Sequence, residues 1–92
     1  MRDSVATALN GTITINDTAK KTEDFTAYAI NSDSVITLIE VNGDNTTNVV
    51  ANYFTTPANG IAKGGLLTPL RTLGHNKFSA ITLSSGQVIG VK

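Results

Sequence analysis

The residue best suited to acid–base chemistry or metal binding is the single histidine, His75. It lies between Gly74 and Asn76, where the sequence predicts a turn, so we expect a solvated loop histidine. Catalysis of the Cys–His type requires a thiol, and the chain has no cysteine. A zinc site requires three or four ligands at a recognisable spacing, which one histidine among scattered carboxylates does not provide. We therefore expect neither a catalytic nor a metal-binding histidine.

One acidic segment has the alternation of a calcium-binding loop. Asn42, Asp44 and Asn48 could begin such a loop, which requires Gly at its sixth position and a bidentate Glu at its twelfth. Counted from Asn42, those positions hold Thr47 and Tyr53. The segment is better interpreted as a turn between strands.

Two further patterns could suggest an enzyme. Glu23 and Asp24 are adjacent carboxylates, but glycoside hydrolysis needs two carboxyl groups about 5–10 Å apart across a cleft. Neighbouring strand residues point to opposite faces, which separates the pair. Gly60, Gly64 and Gly65 do not form a phosphate-binding loop, because the G-x-x-x-x-G-K-[ST] pattern is absent. We expect no enzymatic activity, no cofactor and no metal.

The charge balance argues against two classes of partner. The formal net charge is zero and 15% of the residues are charged, whereas a nucleic-acid-binding domain carries a basic footprint. No stretch approaches the roughly 20 apolar residues of a membrane span, and residues 1–10 lack the pattern of a signal peptide. We expect neither a nucleic-acid nor a membrane partner.

The elements that would position any site are predicted to be short strands. Gly11–Asn16 alternates threonine with isoleucine, and Phe25–Ile30 and Val35–Val41 are further apolar runs bounded by turn residues. Val35–Val41 is apolar on both faces, which is typical of a strand covered on both sides. Val49–Phe54 is predicted to pair back after the turn at Asn42–Asn45.

The rest of the chain completes an all-β pattern. Asp17–Asp24 is polar, which predicts a loop or at most one helical turn, and Pro69 demotes Leu66–Leu73 to an edge strand or an irregular segment. Phe78–Lys92 predicts a C-terminal β-hairpin that turns at Ser84–Gly86. We count six to eight short strands, which favours a small β-sandwich or β-barrel.

The length allows one domain, which we place at residues 11–92, preceded by a flexible N-terminal arm at residues 1–10. A chain of this size buries only about 60–65% of the surface that its unfolded form exposes. Without cysteines it has no disulfides to compensate. Self-association is therefore an expected source of stability.

Three segments resemble small structural proteins of tailed-phage virions. Lys77–Ile89 (KFSAITLSSGQVI) is similar to their common ending, with a Phe, an Ile-x-Leu strand, a Ser-Gly turn and an apolar strand. Phe25–Ile39 (FTAYAINSDSVITLI) is similar to an opening strand, a polar turn and a second strand, and Ile61–Leu67 (IAKGGLL) to the approach to the last hairpin. Many relatives end in Ala-Tyr where this chain has Gly90 and Val91.

The resemblance implies a capsid decoration (cement) protein that binds the assembled phage head as a homotrimer and stabilises it. Its partners would be the major capsid protein and its own copies. It would lie on the capsid surface of the virion, after synthesis in the host cytoplasm without a signal peptide. The alternative is a tail or head-fibre module that contacts a host-surface glycan or receptor through an exposed aromatic platform, for which Tyr28 and Tyr53 are the candidates.

Candidate contact residues come from the apolar run at Val35–Val41 and from the two tyrosines. We expect these side chains to lie in the core or at a contact with another subunit or the capsid. Residues 1–10 are a further candidate for a segment that contacts the capsid or a neighbouring subunit. The predicted contact residues are Val35, Ile36, Leu38, Ile39, Val41, Tyr28 and Tyr53.

Overall fold

Seven strands form two antiparallel sheets in the computed structural model, which describes residues 11–92. The strands are β1 (Thr12–Ile15), β2 (Lys21–Phe25), β3 (Ala27–Ile30), β4 (Val35–Val41), β5 (Leu66–Leu67), β6 (Phe78–Ser85) and β7 (Val88–Val91). The predicted all-β fold class is confirmed, and the arm predicted at residues 1–10 lies outside the described residues. Among residues 11–92, no helix is long and apolar enough to cross a membrane.

The two sheets form a sandwich instead of a closed barrel. One sheet has four strands in the order β1-β7-β3-β5, and the other has three in the order β2-β6-β4. The apolar side chains of both inner faces meet in one core, because alternate residues of each strand point inward. The chain passes between the sheets at Thr26, the single residue that separates β2 from β3.

The strand–turn–strand pair predicted at the C-terminus is present, but its two strands do not pair with each other. β6 pairs with β2 and β4, whereas β7 pairs with β1 and β3. The reason lies in the turn, where the Gln87 carbonyl accepts hydrogen bonds from the backbone N–H groups of Asn31 (3.0 Å) and Ser32 (3.3 Å). These bonds hold the chain against the end of β3, so β7 continues along β3 in the other sheet.

The loop, or at most one helical turn, that the sequence predicts at Asp17–Asp24 is wrong for the second half of that segment, because Lys21–Phe25 forms β2. Lys21 lies opposite Ile81 and Thr22 lies opposite Ala80 in the ladder with β6. Backbone pairing with a buried central strand therefore overrides the low strand propensity of the Lys-Thr-Glu-Asp sequence. Only Phe25, at the end of β2, is fully buried.

The strand predicted at Val49–Phe54 is also wrong, because Val50–Asn52 forms a 3₁₀ helix. Asn48 and Val49 lie along the outer edge of β4, where the Val49 N–H donates to the Ile39 carbonyl (2.7 Å). The Asn48 side chain accepts from the Ile39 N–H and donates to the Thr37 carbonyl, both at 3.0 Å. A side chain thus takes the place that a returning strand would occupy.

Two other predicted elements are confirmed, whereas the strand predicted at Phe25–Ile30 is divided, because Phe25 ends β2 and Ala27 begins β3 in the other sheet. β4 has the bounds Val35–Val41 that the sequence predicts, and the turn after it is closed by a 3.0 Å bond from the Asp44 N–H to the Val41 carbonyl. β5 is short and lies at the edge of its sheet, as expected for a segment that contains Pro69.

Three aromatic rings form the centre of the core and connect both sheets, and a fourth packs against them. Tyr28 of β3 packs between Phe25 of β2 (5.3 Å between ring centroids) and Phe78 of β6 (4.6 Å). Tyr53, which follows the first 3₁₀ helix, extends this series with a 5.6 Å contact to Phe78. Phe25, Tyr28 and Phe78 are fully buried, so these rings account for much of the apolar area removed from water.

Gly90 is what allows the Phe25 ring to reach the opposite sheet. A β-carbon on Gly90 would overlap three atoms of that ring. Because Gly90 lies between Ile13 and Tyr28 in the four-stranded sheet, its missing side chain creates a recess over which the ring lies. Gly90 therefore has a packing role.

We expect Gly90→Ala to lower the free energy of unfolding by about 1–3 kcal/mol, because the added methyl group overpacks the core at the Phe25 ring. Urea denaturation measures this change. The double variant Gly90→Ala/Phe25→Leu, which removes the opposing ring atoms, should lose less stability than the sum of the two single variants. Strict additivity would contradict the steric contact.

We expect Tyr28→Phe to raise the free energy of unfolding by about 1 kcal/mol, because the Tyr28 hydroxyl is buried without a hydrogen-bond partner in the described structure. Burial raises the pKa of this hydroxyl above its ordinary value, and the neighbouring Tyr53 hydroxyl adds to the rise. The unfolded chain therefore loses this proton first, so the wild-type protein keeps its full stability below about pH 10 and becomes progressively less stable at higher pH.

Urea denaturation between neutral pH and pH 11 measures both effects. The wild-type protein should lose stability above pH 10 more steeply than Tyr28→Phe. A Tyr28→Phe variant that is less stable than the wild type at neutral pH would show that the hydroxyl makes a favourable contact.

Candidate interaction surface

The structure places most of the predicted contact residues in the core. Tyr28, Ile36 and Ile39 are at most 1% exposed and Val41 is buried, so these four side chains are unable to contact a partner. The remaining three, Val35, Leu38 and Tyr53, are half-buried. Of the two roles expected for these residues, core or contact, the four buried ones take the core role, because the inner faces of β3 and β4 pack together in one core.

His75 is buried, which corrects the prediction of a solvated loop histidine. Its Nδ1 atom lies 2.8 Å from the Tyr53 hydroxyl, and the two rings stack with centroids 5.6 Å apart. The same hydroxyl accepts a 3.1 Å hydrogen bond from the Leu70 N–H, which leaves its own proton to be donated to Nδ1. Tyr53 and His75 therefore fasten the loop around residue 70 to the core.

Tyr53 is an internal hydrogen-bonding residue instead of a binding platform. Burial raises the pKa of its hydroxyl, partly offset by the Leu70 N–H, which favours the ionised form. With Tyr28 buried in the core, these two side chains do not form the exposed aromatic platform that a glycan-binding module would need.

The four-stranded sheet has a regular outer face, which we call the neutral face. Cross-strand pairing arranges its residues in two rows that run across the strands, about 15 Å from first strand to last at a spacing of about 4.8 Å. The rows are Thr12, Val91 and Ala27, and next to them Thr14, Ile89, Ala29 and Leu66.

The neutral face has no charged side chain in either row. Thr12 and Thr14 are exposed, Ile89 and Val91 are half-buried, and Leu66 at the edge is 65% exposed, the highest value for a large apolar residue in the described chain. An exposed surface of this kind, apolar with uncharged threonines and without Lys, Glu or Asp, is typical of the centre of a protein contact.

The charged residues collect instead around β2 and the other sheet. Four ion pairs occur among residues 11–92, and three of them use residues of β2. The pairs are Lys20–Glu40, Lys21–Asp17, Lys77–Asp24 and Lys92–Glu23. The two rows of the neutral face thus have no charge, whereas the ion pairs gather around β2, and one of them reaches Lys92 just after β7.

Glu40 is the one buried carboxylate among residues 11–92. Its side chain is 3% exposed on β4, and its Oε1 atom lies 2.8 Å from Nζ of Lys20 in the connection between β1 and β2. The Lys20 side chain covers the carboxylate and compensates its charge. Because the cation is partly exposed and the anion is not, removing the cation would leave an uncompensated buried charge.

A shallow cleft of about 270 Å³ lies at one end of the sandwich. Asp33, Asn59 and Ser85 contribute polar atoms to it, and Ile61 contributes an apolar wall. The Asp33 carboxylate already accepts a 2.8 Å hydrogen bond from the Lys63 N–H. No group of three or more residues that could hold a metal ion occurs within residues 11–92.

The neutral face was not identified from the sequence. The sequence does contain a signal for this face, namely three strand segments without a charged residue: Thr12–Ile15, Ala27–Ile30 and Val88–Val91. Recognising the face requires the strand order, which places these three segments side by side although they are distant in the chain.

Comparison of the chain with protein-family models, with curated proteins and with solved structures gives no match.

We expect Lys20→Met to lower the free energy of unfolding by about 1–3 kcal/mol, because the Glu40 carboxylate remains buried without its cation while the methionine keeps the apolar stem. Lys21→Met is the matched control, since its partner Asp17 is exposed and its loss should stay below about 1 kcal/mol. Urea denaturation of both variants measures the difference. Equal losses would contradict a special role for the Lys20–Glu40 pair.

Proposed function

We propose that this protein is a non-enzymatic structural protein of a phage virion, a capsid decoration protein that binds the assembled head as a homotrimer and stabilises it. The observation that carries the proposal is the neutral face. In this proposal three copies bring their neutral faces together around the threefold axis, and the trimer as a whole binds the major capsid protein on the capsid surface.

Symmetry favours an uncharged surface for self-association. Around a rotation axis each residue near the axis lies close to its own copies, so any charged residue there would repel itself. Ile89 and Ala29 lie in the middle of the neutral face, where an apolar contact is needed and a charge would be most costly. The ion pairs around β2 involve none of the residues in the two rows of the neutral face, so a contact through these rows breaks none of them.

Stabilisation of the shell would follow from selective binding. A protein that binds the assembled shell but not free capsid subunits shifts the equilibrium towards the shell by mass action. Three linked copies bind more tightly than one, because the second and third contacts form at a high effective concentration. The trimer is therefore part of the proposed mechanism, and a variant that remains monomeric should bind shells weakly.

We expect the wild-type protein to have three times the 9.6 kDa mass of one chain in light scattering, and to co-sediment with empty shells of the phage that encodes it. Ile89→Lys places a positive charge on each copy near the axis, so it should yield a folded monomer with greatly reduced shell binding. Thr37→Lys is the matched control, because Thr37 is exposed on β4 in the other sheet.

Three results would contradict parts of the proposal. A wild-type monomer that does not bind shells would exclude the decoration function. An Ile89→Lys variant that remains trimeric would exclude the neutral face as the subunit contact. Finding only a handful of copies per virion by mass spectrometry would exclude the capsid surface, since a decoration protein is present in hundreds of copies and a tail component in a handful.

A further inference from the structure

The sandwich has four edge strands, and three of them are blocked against pairing. β4 is covered by Asn48 and Val49, which occupy the backbone groups of Thr37 and Ile39. β2 contains three charged residues within its five, a composition that opposes the addition of another strand. β5 has two residues and is soon followed by Pro69, so it offers too little backbone to extend the sheet.

β1 has none of these protections. Its sequence Thr-Ile-Thr-Ile is uncharged and β-branched, which is the composition that pairs most readily. On one side it pairs with β7, and no residue within 11–92 pairs with its other side. β1 is therefore an open edge in the described part of the chain.

The backbone groups that face the open edge can be assigned. The Lys92 N–H donates to the Gly11 carbonyl (3.0 Å), and the groups of successive residues alternate in direction along an antiparallel strand. Gly11, Ile13 and Ile15 therefore face β7, whereas the N–H and carbonyl groups of Thr12 and Thr14 face outward. These outward N–H and carbonyl groups can form backbone hydrogen bonds with another strand.

We infer that the open edge of β1 pairs with β1 of a second copy, antiparallel and about a twofold axis. With Thr14 opposite Thr14 of the other copy, the core sides of the two sandwiches stay on the same side of the joined sheet. Ile13 then lies opposite Ile15, Thr12 lies opposite Asn16, and about four to six backbone hydrogen bonds form. No charge meets another charge anywhere along the contact.

A second copy suits this edge better than another protein does, because the strand is complementary to itself. Apolar residues meet apolar residues on the core side, where the half-buried Ile13 gains cover. Threonine meets threonine on the outer side, a favourable cross-strand pair. Because each described chain has one open edge, pairing ends with two copies and does not propagate into a fibre.

This inference does not rest on the proposed virion function, because it concerns a strand edge and not the neutral face. On a shell, threefold contacts through the neutral face and twofold contacts through β1 would connect neighbouring trimers. The edge alone offers a small contact area, so we expect weak association that is detected best by covalent trapping.

Cysteine cross-linking tests the pairing directly, since the natural chain contains no cysteine. We expect full-length Thr14→Cys, incubated at high concentration with oxidised glutathione, to form a disulfide-linked dimer as its main product. The distance between paired strand residues allows this bond. Thr22→Cys is the matched control, because Thr22 is an exposed threonine on the charged edge strand β2, and we expect it to remain monomeric.

A second pair of variants separates edge pairing from contact through the neutral face. Thr12→Pro removes an outward N–H of β1 and should reduce cross-linking of Thr14→Cys severalfold, whereas Thr12→Val keeps the N–H and should not. Adding Ile89→Lys, which disrupts the neutral face, should leave the cross-link intact. The β1 contact can thus be confirmed even if the trimer proposal fails.

The inference would be overturned by equal cross-linking of Thr14→Cys and Thr22→Cys, or by cross-linking that Thr12→Pro does not affect. It would also be overturned if Thr14→Cys does not cross-link and hydrogen exchange shows the Thr12 and Thr14 amides already protected in the monomer. That result would mean that another part of the same chain covers the edge.

Discussion

The packing of Phe25 against Gly90 is the contact on which the rest of the sandwich depends. Phe25 belongs to the three-stranded sheet and Gly90 to the four-stranded sheet, so this contact sets how closely the two layers approach. Tyr28 and Phe78 pack beside Phe25 and extend the contact across the core. Because the core of so small a chain has few large side chains, the position of these rings determines which strands can pair around them.

Once the two layers are joined, the distribution of charge gives the molecule two different sides. The ion pairs gather around β2, and one carboxylate, Glu40, is buried beneath Lys20. The neutral face on the opposite sheet has exposed threonines and apolar residues instead. The threonine hydroxyls of this face can still form hydrogen bonds with water, so the face is polar without being charged. This asymmetry is the observation from which we propose that the neutral face is a contact between subunits.

The edge strands of the two sheets also differ in how they are protected against pairing with another strand. Asn48 occupies the edge of β4 with its side-chain amide, and the charged residues of β2 protect another edge. The edge of β1 has neither device among the described residues. Proteins commonly protect such edges because unpaired backbone groups invite association. The unprotected edge of β1 and the uncharged face beside it are the two features on which the proposed self-association rests.

The sequence by itself determined the all-β class, the strand β4 with its bounds and the short edge segment at β5, since alternation and turn residues act over a few positions. Only the tertiary structure decided that β6 and β7 belong to different sheets, that polar β2 is a strand and that His75 is buried. These outcomes depend on partners distant in the chain. The neutral face arises in the same way, because hydrogen bonding between remote strands, and not local propensity, decides which side chains become neighbours.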